Sequence, residues 1–152
     1  MWSDLLRVLV VLGSGTVAGV FIAVTLSVMP ALAVLPVNTY VRIHQLLGKG
    51  YHPTMPAIVL LVLAGDITLA VIDHADGATQ LLVLACVLQV GVQVVSHLRN
   101  EQLNKRVRLV DGTVIPANWA DPRESWRRWH LVRTALAIAV FAINAIIAVL
   151  PT

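Results

Sequence analysis

Four stretches of the chain are nearly unbroken runs of apolar residues, at about 5–29, 56–72, 79–98 and 129–150. Each is close to the roughly 20 residues that cross a bilayer as a helix. The pattern predicts an all-α membrane protein: one integral domain over residues 1–152, folded as a four-transmembrane-helix bundle. Between the runs, the pattern breaks in readable ways. Pro30 and Pro36 close the first span. The stretch from Asn38 to Leu47 reads as a short connector helix stopped by Gly48 and Gly50. The second span opens at Thr54 to Pro56, where proline suits a first turn. After the third, β-prone residues flank Asp111-Gly112 from Val107 to Ile115. An Asp-Gly pair so placed predicts a small β-hairpin between helices 3 and 4. Asp121-Pro122-Arg123-Glu124 then starts the last helix, with an N-cap, a first-turn proline and an acidic residue to follow.

Polar residues inside these runs stand out. Gln89, Gln93, His97, Asn100 and Asn104 recur at spacings of four, four, three and four. On one helix they fall within an arc of roughly 80°. Polar groups in a bilayer face the bundle interior or a wet cavity, so the stripe predicts an inward face. Its lower end, His97 to Asn104, is expected to form one wall of a site, while Gln89 and Gln93 act as bundle hydrogen bonds. Gln93 also lies within reach of a substrate there. Asp66, deep in the second run, costs about 2.5–3.5 kcal/mol to insert and calls for a partner. Gly15-x3-Gly19 in the first run is a small-xxx-small pattern suited to close helix approach.

Composition agrees: 58% hydrophobic, 12% charged, mean hydropathy +0.82. A net charge of +3 says little about nucleic acid, because so few charges lie outside the spans, and none is expected as a partner. The single cysteine, Cys86, lies within a span and excludes an intrachain disulfide. Ten of the eleven Lys and Arg fall in or beside the two longer loops; only Arg7 lies on the other side, with Asp73, His74 and Asp76. The positive-inside rule then places loops 30–55 and 99–128, with the hairpin, in the cytoplasm and both termini outside it, in a bacterial inner membrane. Arg7 and Ala31-Leu32-Ala33 imitate a signal peptide, but the apolar run is longer than such a segment needs and reads as a retained span.

On this topology, four of the five histidines (His44, His52, His97 and His130) share the cytoplasmic side. Trp126, His130 and Arg133 share one face of the last helix. Three chemistries fit: His97 and His130, with His44 or His52, as ligands to iron or copper; histidines as proton acceptors near neutral pH; and Arg133 as the cation that stabilises a developing oxyanion. Trp126 and Trp129 sit where an aromatic belt would, and are also candidate substrate contacts.

Three stretches resemble signatures of the anthrone oxygenase-like family of small integral membrane proteins: Val28-Met29-Pro30-Ala31-Leu32, Asn100-x3-Asn104-Lys105-Arg106-Val107, and Trp126-x2-Trp129-His130-x2-Arg133-Thr134. Gln102 stands where that family often has proline, and His130 where asparagine is common. The resemblance implies a four-helix membrane bundle that oxidises anthrones to anthraquinones with dioxygen as co-substrate, and it marks Asn100, Asn104, Trp126, His130 and Arg133. The expectation is a membrane-embedded oxidoreductase acting on a hydrophobic, aromatic or polyketide-like molecule. His130 or His97 would remove a proton, while Arg133 and the asparagines hold the oxyanion. The alternative is a non-enzymatic binding, accessory or transport subunit, or a homo-oligomer, in which the stripe is structural.

Overall fold

A computed structural model describes residues 2–72 and 78–149. The acidic loop with His74 lies outside them. Helix α1 (Trp2–Ala23) passes through a π-helical turn, Val24–Val28, into α2 (Met29–Ala33). After Pro36, α3 runs from Val37 to Tyr51 and α4 from Thr54 to Ile72. Helix α5 (Ala78–Val95) continues through a second π-helical turn, Ser96–Asn100, into α6 (Glu101–Arg108), and α7 spans Arg123–Val149. Four continuous rods result: Trp2–Ala33, Thr54–Ile72, Ala78–Arg108 and Arg123–Val149, each long and apolar enough to cross a membrane.

The rods pack as a square. α1 touches α4 and α7, and α5 touches the same two, so α1 and α5 lie on one diagonal. Val10, Val62, Leu69, Leu82, Val140 and Ile147 form one core cluster; Val17, Phe21, Val59, Val92 and Ala137 belong to another, nearer the π-turns. Large apolar side chains such as Leu12, Leu26, Leu61 and Val71 face outward, more than 60% exposed, as a lipid-facing surface requires. α1 meets α4 at Gly13 and Gly65. A Cβ on Gly13 would come 2.6 Å from the Val62 side chain, and one on Gly65 would come 2.5 Å from that of Val10. The approach of α1 to α4 thus uses Gly13, two residues before the expected pair; Gly15 of that pair meets α7, where a Cβ would come 3.0 Å from the Phe141 ring, and Gly19 has open space around it. Gln89 is buried and donates to the Val59 carbonyl at 3.1 Å, a hydrogen bond between α5 and α4. Asp66 and Asn144 are buried within the bundle.

The expected β-hairpin is not there: no strand occurs among the described residues. Val107 and Arg108 instead finish α6, with Val107 fully buried against Leu32, Tyr40 and Val41. Asp111-Gly112 does make a turn, but a self-contained one. The Asp111 carboxylate accepts both the backbone N–H and the hydroxyl of Thr113, each at 2.8 Å. The donors a partner strand would have supplied come from Gln45 on α3, whose amide bonds the Val107 and Val110 carbonyls at 2.9 Å each. α3 also outruns its expected stop, passing through Gly48 and Gly50 to Tyr51. Arg123 ties the remaining end together. Its Nη1 donates to the carbonyls of Leu32, Ala33 and Leu35, its Nε and Nη2 to Asp121, and its guanidinium lies over the Tyr40 ring. Burial works to raise the Asp121 carboxyl, but the bonds from Arg123 outweigh it and hold the group below its ordinary range.

Candidate functional site

The two π-turns lie at one level of the bundle and border the same cavity. A π-turn accommodates one residue more than an α-helical turn, widens the helix locally and frequently marks a functional site. Here Val24 and Val28 contribute from one turn, Ser96, His97 and Asn100 from the other. α1, α3, α6, the end of α5 and the first three turns of α4 and α7 complete the walls. The cavity volume is about 390 Å³, within the usual range for a small-molecule site. Apolar residues such as Val20, Phe21, Leu47, Met55 and Val59 cover much of it. The polar residues on its walls include His44, His52, Gln93, His97, Asn100, Asn104, Trp126 and Arg133.

Most of the residues marked by the sequence therefore meet, in distinct positions. Trp126 stacks on His130, with ring centroids 5.3 Å apart and planes 12° apart. Its indole N–H donates to Asn104 Oδ1 at 3.1 Å. His44 Nε2 lies 3.1 Å from the same oxygen. Asn100 is buried, and its amide reaches the Trp126 carbonyl at 3.4 Å. His97 sits exposed at the rim, with Nδ1 3.1 Å from the Gln93 carbonyl. His52 is exposed at the end of α3.

His130 is placed differently. It is fully buried and stands behind the cavity wall. Its Nε2 donates to the Phe21 carbonyl at 3.1 Å, so Nδ1 is the accepting nitrogen. Arg133 fills that acceptor from Nε at 3.0 Å and from Nη2 at 2.8 Å. Both ring nitrogens are thus engaged by protein. Trp129 is also off the cavity: Arg99 lies over its ring, 4.8 Å from the centroid.

Arg133 itself stands on the cavity wall, its guanidinium 4.6 Å from the Phe21 ring centroid. Among the described residues no carboxylate pairs with it. Glu101, which lines the same cavity, is engaged by Arg108. As for a metal, the four candidate histidines do not form a ligand set: among the described residues no three His, Cys, Asp or Glu side chains converge. With both ring nitrogens of His130 engaged by protein, it has no free nitrogen to offer a metal.

Sequence reasoning missed Phe21, whose carbonyl and ring hold His130 and Arg133 from α1. Nothing in an apolar run distinguishes it. It also gave His44 only a ligand's part. The Tyr40-x3-His44 spacing on α3, which puts both rings on one helix face 5.3 Å apart, was the available signal.

A family model described as anthrone oxygenase matches residues 43–143. The chain belongs to the anthrone oxygenase family. Two of the three stretches read above, from Asn100 and from Trp126, fall inside the matched region of this family member; Val28–Leu32 precedes it. Neither a curated protein nor a solved structure matches the chain. Family membership and four membrane-length helices together describe a membrane protein of oxygenase type.

Proposed function

We propose that the cavity takes a flat, hydrophobic aromatic ketone of the anthrone type and oxidises the CH2 conjugated to its carbonyl. The observation that carries this reading is Arg133: a cation on the cavity wall whose hydrogen-bond acceptor is a neutral imidazole rather than a carboxylate, whereas Arg108 on the same wall is paired with Glu101. A guanidinium so placed is worth most when negative charge appears beside it. Loss of a proton from the substrate's CH2 puts that charge on the ketone oxygen. Dioxygen then adds at the carbanionic carbon, forming a C–O bond, and the peroxide oxygen takes up a proton. Loss of the second C–H proton with cleavage of the O–O bond leaves a new carbonyl and expels water. One atom of dioxygen enters the product and the other becomes water. The chain's part is to hold the aromatic rings against Phe21, Trp126 and the valines, and to aim Arg133 at the oxyanion.

The basic end of the bundle is assigned to the cytoplasm, which puts the cavity on that side. Accessibility of single cysteines placed in loop 109–122, in a Cys86→Ala background, tests the assignment. For the reaction, full-length protein in nanodiscs is given dihydroxyanthrone and isotopically labelled dioxygen. Protein-dependent oxygen uptake with one labelled atom in the quinone is expected. Arg133→Met should lower it by about 10²–10³, assayed below the variant's own melting temperature because His130 Nδ1 loses its donors. Uptake undiminished in Arg133→Met would overturn the reading.

A further inference from the structure

The cavity contains one imidazole that is buried, fixed in orientation and still open at one nitrogen. His44 is 7% exposed, edge-on to Tyr40 at 5.3 Å and to Trp126 at 5.3 Å. The indole N–H of Trp126 only donates, so the Asn104 atom it meets is the amide oxygen. An amide oxygen only accepts, so His44, 3.1 Å from that same atom, donates through Nε2. Its proton-free nitrogen is therefore Nδ1. Among the described residues nothing bonds Nδ1, and it is not one of the sealed polar atoms. The ring that bears it lines the cavity. The other histidines among the described residues differ: His130 has both nitrogens engaged, and His97 and His52 are exposed.

We propose that His44 Nδ1 is the base that takes the first proton from the substrate's CH2, with Asn104 and Trp126 as positioning residues. This rests on the oxygenase reading above. The C–H bond breaks, its electron pair moves through the conjugated rings onto the ketone oxygen beside Arg133, and the proton goes to Nδ1. The imidazolium so formed keeps its Nε2–H bond to Asn104, which strengthens as the ring becomes charged. Once dioxygen has added to the carbon, the peroxide oxygen takes the proton back and neutral His44 is restored. Burial holds the His44 imidazole below its ordinary range; the Asn104 bond works against this and the Arg108 charge with it. The ring is thus neutral near pH 7 and able to accept. The other titratable groups of the surroundings include Tyr40 and Tyr51 on its own helix, His52 just beyond it, His97 in the second π-turn, Glu101 on α6 and Arg133 on α7.

The test separates proton removal from oxidation. Full-length protein and dihydroxyanthrone are held without oxygen in heavy water, and exchange of the CH2 protons is followed above the protein-free rate. His44→Gln removes the base but leaves an amide that can donate to Asn104. It should lower protein-dependent exchange by about 10²–10⁴, while Cys86→Ala, away from the cavity, stays close to wild type. Should His44→Gln melt below the assay temperature, His44→Ala with added imidazole decides, recovered exchange supporting the base and its absence refuting it. Exchange in folded His44→Gln equal to wild type would overturn the proposal and leave the oxygenase reading standing. Wild-type protein that neither exchanges the proton nor consumes oxygen would overturn both.

Discussion

Arg133 gives two hydrogen bonds to a single atom, Nδ1 of His130, from Nε at 3.0 Å and Nη2 at 2.8 Å. The two residues lie three apart on α7, so the helix itself sets their separation. His130 is in turn held to α1 by the Phe21 carbonyl. The pair is a strut: α1 fixes the imidazole, and the imidazole fixes the guanidinium.

From this strut follows a graded outcome at position 130. His130→Leu leaves the Arg133 donors without their acceptor in a buried setting, which costs about 1–3 kcal/mol. His130→Asn retains an oxygen for Arg133 and should lose less. Melting temperatures in detergent for the two variants, with oxygen uptake beside them, check the order. Equal losses would mean that the ring is held by packing alone.

Asn104 accepts from two donors on two other elements, His44 and Trp126. Asn104→Leu strands both N–H groups, each left unmet costing about 1–3 kcal/mol. A marked drop in melting temperature and in oxygen uptake is expected. A double-mutant cycle with Trp126→Phe should give a clearly non-additive result, because the two changes remove one shared bond.

The helix contact at Gly65 has no room for a side chain. Gly65→Val would drive its methyl groups into Val10, with an overpacking cost of about 1–3 kcal/mol. Gly19→Ala, where space is open, is expected to leave thermal unfolding unchanged. The two measured side by side locate the close approach.

His44 also predicts a pH dependence. Burial lowers its folded-state value, so between that value and the unfolded one, near 6.5, the unfolded chain binds more protons. Its contribution to stability is complete above about pH 6.5 and is lost as pH falls through the folded value. Wild type should therefore lose more of its melting temperature between pH 8 and pH 5 than His44→Gln does. Identical slopes would remove His44 from the account.

Gln45 offers a check on the connector. Gln45→Leu frees the Val107 and Val110 carbonyls from α3 and should expose residues 109–122 to limited proteolysis at Arg108. Unchanged cleavage would mean that Trp119 against Tyr40 holds the segment unaided.

The four spans were legible because period and length answer to the bilayer alone. The lower half of the stripe was legible for a related reason: Asn100 and Asn104 must find polar company somewhere, and the cavity supplies it. The connector at 107–115 was not, because β-prone residues beside Asp-Gly describe a local preference, and a distant side chain, Gln45, met the backbone carbonyls instead. His130 misled for the converse reason. A histidine beside an arginine suits catalysis and scaffolding alike. What decides between them is the Phe21 carbonyl, a backbone group that no sequence pattern reveals.

The paired π-turns carry one more consequence. Each holds an extra residue, so the helix beyond it runs about 100° out of phase with the helix before it. α1 and α5 thus keep one rotational setting for the bundle and hand a second to α2 and α6. Removing a single residue from Val24–Val28 or Ser96–Asn100 would bring the two settings back into line. The turn would close to an α-helical one with both flanks in place, and the cavity would lose the widened wall that the extra residue supplies. The bundle and the site are therefore separately adjustable, and the length of two short turns is what keeps them apart.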